Sequence, residues 1–172
     1  MKLNKVGLLF LLFVFCVLSA CNKVGTGTDN NKHSLSIYLV KDLSVEEAMS
    51  MNIDELPLET LPVLTDNEIE KYNWGEHTFY IKNGFNIEGK LEGKVPLNGR
   101  PFVFLIDGKR IYLGSFWNML SSLHWSNIPT INSVWSGEFT ENKYHIAKAN
   151  EQQDPREDKR IFETLKSLGK LE

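Results

Sequence analysis

Cysteine is nearly missing from this sequence: Cys16 and Cys21 are the only two, and both lie close to the N-terminus. Beyond them the chain has no thiol for a disulfide, a nucleophile or a cysteine metal cluster, so packing must supply its stability. Long hydrophobic runs are missing too. The one extended run, Val6 to Val17, falls short of the ~20 apolar residues that a spanning helix needs. Nor does one sign of charge prevail: 19 Lys and Arg stand against 22 Asp and Glu, for a formal net charge of −3. That balance argues against a bulk basic patch for nucleic acid or anionic lipid. Catalytic signatures are absent as well. The sequence holds no Gly-x-Ser-x-Gly elbow, no Walker or dinucleotide glycine pattern, no internal repeat and no low-complexity block.

What is there begins with a patterned N-terminus. Lys2 and Lys5 precede the apolar run, which ends in Leu18-Ser19-Ala20-Cys21. This order of basic residues, short apolar core and small residues before a cysteine resembles a bacterial lipoprotein signal with its lipobox. The resemblance implies that residues 1–20 are removed and that Cys21 becomes the lipidated N-terminus. It implies a protein held at the cell membrane, on its extracytoplasmic side, with membrane lipid as its first partner. Residues 21–34 are small and polar without periodicity, as in a flexible tether. Residues 35–172 have the length of a single globular domain with a real core.

Along that domain, "LSIYLV" at 35–40 reads as a strand. Ser44 with Glu47, and Thr65 with Glu68, have capping-box spacing and predict two short helices. "HTFYIK" at 77–82 predicts a strand turned by Asn83-Gly84. The glycine-rich stretch 85–100 predicts turns and a short irregular strand. Asp107-Gly108 between two apolar runs predicts a hairpin pairing 106 with 109, 104 with 111 and 102 with 113. Phe102, Phe104, Ile106, Ile111 and Leu113 then share one face. Ser115 opens a predicted helix over 115–123, residues 128–135 and 143–148 read as strands, and Asp154-Pro155 starts a final helix ended by Gly169. The expected fold class is α+β, a largely antiparallel sheet with helices packed on one face.

Chemistry is hard to find in this pattern. His33, His77, His124 and His145 show no metal-binding spacing, so neither a metal nor another cofactor is expected. Glu46/Glu47 and Glu157/Asp158 fall in first helical turns, where the helix dipole accounts for them. A serine hydrolase would have to be assembled from distant residues such as His77, His124, Asp107 and a serine. The feature above background is aromatic density between Tyr112 and Tyr144. Trp117, off the apolar stripe of the predicted helix, and Trp125, in a polar loop, are the candidate binding rim.

"PVLTDNEIEKYNWGEHTFYIK", "GRPFVFLIDGKRIYLGSFWNMLSS" and "DPREDKRIFETLKSLGKL" together resemble a group of small bacterial lipoproteins with no assigned activity. Pro62-Val63-Leu64-Thr65 with Glu68-Ile69, then Ile106-Asp107-Gly108, then Leu165 to Leu171, are also similar to the periplasmic head of export-translocase accessory subunits. That second similarity implies a ferredoxin-like variant of the α+β class. The expected function is a non-enzymatic, lipid-anchored binding domain whose partner is an envelope protein or a cell-wall ligand. A small envelope hydrolase and a structural spacer are the alternatives.

Overall fold

The computed structural model describes residues 33–118, 120–123, 127–132, 142–150 and 153–172. In chain order they form β1 (Leu35–Leu39), α1 (Val45–Met49), a 3-10 turn (Ile53–Glu55), β2 (Leu64–Thr65), β3 (Ile69–Asn73) and β4 (Thr78–Ile81). There follow α2 (Ile87–Leu91), β5 (Arg100–Ile106), β6 (Lys109–Trp117), β7 (Thr130–Asn132), β8 (Lys143–Ala147), a second 3-10 turn (Pro155–Glu157) and α3 (Lys159–Ser167). The strands make one sheet in the order β2-β1-β5-β6-β7-β8-β4-β3. Its pairings are antiparallel except β6 with β7. The sheet curls until it is nearly a barrel, and its mostly antiparallel strands together with the helices make the class α+β. A ferredoxin-like layout does not emerge from this strand order.

Alternation along the strands builds the core. Leu35, Ile37 and Leu39 of β1 point the same way as Phe102, Phe104 and Ile106 of β5 and join Phe79, Ile81 and Ile146 in one buried cluster. Ile161 and Leu165 of α3, with Ile87 and Leu91 of α2, pack into that same cluster. The other face of β5 is apolar as well. Val103 and Leu105 bury against Val40, Ala48 of α1 and Leu56. Helices therefore cover both faces rather than the one expected, because a strand apolar on both sides needs a cover on each.

Several sequence expectations are corrected here. The hairpin turn forms, and Ile106 pairs with Lys109 and Leu105 with Arg110. The register then shifts, so Phe104 pairs with Tyr112 and Phe102 with Gly114. One extra residue in β6 bulges the strand and moves every later side chain to the opposite face. Tyr112 and Phe116 thus line the interior, in place of Leu113. Tyr112 stacks on Phe104 at 4.9 Å between ring centroids, and Phe116 packs on Phe102 at 5.0 Å.

The predicted helix over 115–123 is instead the end of β6 as far as Trp117. Ser115 is fully buried and pairs with Pro101 on one side and Thr130 on the other. Gly114 makes that close packing feasible: a Cβ there would lie 2.3 Å from the Phe102 ring and 2.9 Å from the Pro129 carbonyl. The stretch 65–72 is strand, turn and strand. The Glu68 carboxylate accepts from the Thr65 amide and hydroxyl, half of the expected capping box, but around the turn between β2 and β3. Residues 85–100 hold the helix α2, capped by Asn86, where turns and a short irregular strand were expected. At the C-terminus Asp154 and Pro155 start a 3-10 turn, and Asp158 caps α3. β1, the Ser44–Glu47 capping box, β4, the core of β7, β8 and the Gly169 cap stand as read. The end of the strand read over 128–135 lies outside the described residues.

Candidate functional site

β5 and β6 give the domain two ends. At one end lies the Asp107-Gly108 turn, and the chain enters the domain beside it. Asp107 accepts from the Ser34 amide at 2.7 Å and pairs with His33 at 3.1 Å. At the other end lie Arg100 and Trp117, roughly 20 Å away for a strand of this length.

The far end carries exposed apolar side chains. Trp117 is half-buried, and its indole Nε1 donates to the Leu123 carbonyl at 2.7 Å. That bond brings Leu123 back to the end of β6. Asn118 fixes the segment further, accepting from the Leu120 amide at 3.0 Å and donating to the Val95 carbonyl at 3.1 Å. So anchored, Leu120 (76% exposed) and Leu123 project into solvent. Leu97, two residues beyond the anchoring Val95 carbonyl, is exposed as well, and so is Leu61 (78%). Leu61 lines a cleft together with Lys90 and Lys94, which joins its loop to the α2 region. Trp125, the second predicted rim residue, lies outside the described residues, as do Cys21 and His124.

A second polar cluster lies in the interior beside β8. Tyr72 Oη and His77 Nδ1 lie 3.0 Å apart in the interior, and Trp74 packs on His77 at 5.5 Å between rings. His77 has a positive φ of 48°, so the turn from β3 into β4 holds it in the left-handed region. Burial pushes the His77 imidazole below its ordinary value, and the Arg156 charge adds to this. Burial likewise holds the Tyr72 hydroxyl protonated well above its usual range. A neutral phenol and a neutral imidazole satisfy one another.

Beside this pair, Arg156 clamps Asp154 with two bonds, Nε to Oδ1 at 2.9 Å and Nη2 to Oδ2 at 2.6 Å. Its third nitrogen donates to the Ile146 carbonyl of β8 at 2.6 Å. The two side chains are only 7% and 6% exposed. Those hydrogen bonds from Arg156 hold the Asp154 carboxyl below the usual carboxylate range. Tyr112 reaches the same region, buried, with no hydrogen-bond partner for its hydroxyl among the described residues.

Two chemistries can be tested on these groups. His77, Asp154 and Glu157 bring three ligand atoms within 4.8 Å of one another, the spacing a metal would need. Both Asp154 oxygens are already held by a buried guanidinium, which a divalent cation would have to displace, so the donor set suits an ion pair better. The distributed hydrolase does not come together among the described residues. His77 bonds to Tyr72, Asp107 bonds to His33 and Ser34, and neither pairs with a serine hydroxyl. Ser115 Oγ donates to the Phe116 carbonyl in the interior.

Sequence reasoning missed the Arg156–Asp154 clamp, although the Asp-x-Arg spacing after β8 was a readable signal. Comparison with family models, curated proteins and solved structures finds no match. Among the described residues no helix is long and apolar enough to cross a membrane.

Proposed function

We propose that this chain is a lipid-anchored, non-enzymatic binding domain of the bacterial cell envelope, holding an envelope protein at its apolar rim. The observation that carries the reading is the exposure of Leu120 and Leu123 on a segment that hydrogen bonds hold in shape. A backbone held in this way loses little conformational freedom on binding, which favours a specific contact. The lipobox at Leu18–Cys21 supports the anchor, and the tether 21–34 leads from it into the domain at His33. The described chain begins beside the Asp107 turn, and the rim stands at the opposite end of β5 and β6.

Two measurements test the two halves. Cys21→Ser is expected to abolish incorporation of labelled palmitate and to release the protein from the membrane fraction; continued incorporation would refute the anchor. A Leu120→Ser, Leu123→Ser double variant is expected to lose an envelope protein that the unaltered chain retains after crosslinking in cells. Retention of the same protein by the variant would move the contact elsewhere.

A further inference from the structure

Beside the 59–63 segment the domain has a cleft of about 530 Å³, within the range of small-molecule sites. Leu39, Leu61, Pro62 and Val63 give it an apolar wall. Its charged groups are Glu59, Glu68, Lys90 and Lys94, and three of the four are already committed. The Glu68 carboxylate, nine-tenths buried, accepts from the Thr65 amide at 2.9 Å and the Thr65 hydroxyl at 3.1 Å, and pairs with the Lys90 ammonium. Lys90 also donates to the Val63 carbonyl at 3.1 Å. Glu59 accepts from Arg100 at 3.0 Å. Lys94 alone is left: it is exposed and pairs with no acid among the described residues.

We infer that the cleft binds a small amphipathic monoanion, with an apolar stem against Leu39, Leu61, Pro62 and Val63 and a carboxylate on Lys94. The charge count decides the class. A cationic ligand would meet Lys94 and find both carboxylates occupied. A neutral apolar ligand would leave the one free charge in the cleft without a partner. The Thr60 hydroxyl, in the same lining, is a further donor for the carboxylate. Lys90 is a positioning residue: tied to Glu68 and Val63, it fixes α2 against the turn between β2 and β3. The cleft shares only Leu61 with the rim, so it stands or falls apart from the protein partner proposed above.

The test is photolabelling of the full chain in phosphatidylcholine nanodiscs with a diazirine-bearing decanoate. Its methyl ester and the alkylammonium of equal length are run beside it. The expected result is labelling of peptides covering 59–65 and 90–94, with the carboxylate labelling about 5-fold more than either companion, the scale of one exposed ion pair. Lys94→Glu is expected to bring the carboxylate down to the ester's level, and Lys94→Arg to preserve it. Equal labelling by all three probes, or labelling confined to other peptides, would overturn the assignment.

Discussion

Around His77 the polar side chains, the Tyr112 hydroxyl excepted, find their partners inside the protein, whereas Leu120 and Leu123 face water. Both regions rest on the same sheet, and both are held by defined hydrogen bonds. In the first, Arg156 spends three nitrogens on Asp154 and the Ile146 carbonyl. In the second, Asn118 and Trp117 bond to the backbone of Leu120 and Leu123, whose side chains stay largely exposed. A frame whose interior polar groups, save the Tyr112 hydroxyl, are satisfied indicates a structural role. A rigid frame that presents unburied leucines indicates a contact still to be made.

The comparison makes its sharpest demand at Arg156. Arg156→Leu leaves the Asp154 carboxylate buried beside an unpaired Ile146 carbonyl, and is expected to cost ~3–5 kcal/mol in urea unfolding. A loss below ~1 kcal/mol would mean that the clamp is not the support described here. Tyr112→Phe removes a buried hydroxyl without a partner and is expected to stabilise the domain by about 1 kcal/mol, read as a higher urea midpoint.

The pH dependence follows from His77, with Asp154, Glu157, Arg156 and His145 as the charged neighbours acting on it. Its folded value is lowered, so below ~6.5 the unfolded chain takes up a proton that the folded chain refuses. Stability is therefore full above that value and falls as the pH drops toward the lowered one. Loss of the Asp154 contribution comes later, as pH falls through its own lowered value. His77→Asn, which tolerates the left-handed backbone, is expected to flatten the decline that begins near ~6.5 and to leave the more acidic one in place. Midpoints measured from neutral to acidic pH check this. The smallest effect on stability belongs to the rim: Leu120→Ser with Leu123→Ser is expected to shift unfolding by less than ~0.5 kcal/mol.

Much of this frame was legible in the sequence. The Asp107-Gly108 turn, the alternation of β1, the Ser44–Glu47 box and the Gly169 cap are local signals, and each appears where local chemistry puts it. The misreadings share a different cause. Glu68 accepts from Thr65 as in half of a capping box, yet tertiary pairing makes their segment a turn between strands, because such bonds satisfy a turn as readily as a helix start. The β6 bulge depends on packing against Phe102, Phe104 and Pro129, which no window of sequence displays. For the site, sequence reading reached Trp117 by supposing that it lay off a helical stripe. It lies instead at a strand end, where it holds the segment that presents Leu120 and Leu123. The Arg156–Asp154 clamp and the Glu68–Lys90 pair needed the fold, since each gains its meaning from burial.

The central claim is that the two ends of the domain differ in what they touch in the cell. Photocrosslinking amino acids placed singly at Leu120, at Leu123 and, for the opposite end, at Glu163 of α3, in the full chain in growing cells, test it most directly. The account expects one discrete protein adduct from both leucine positions and none from Glu163. Equal adducts from all three positions, or adducts from Glu163 alone, would contradict it.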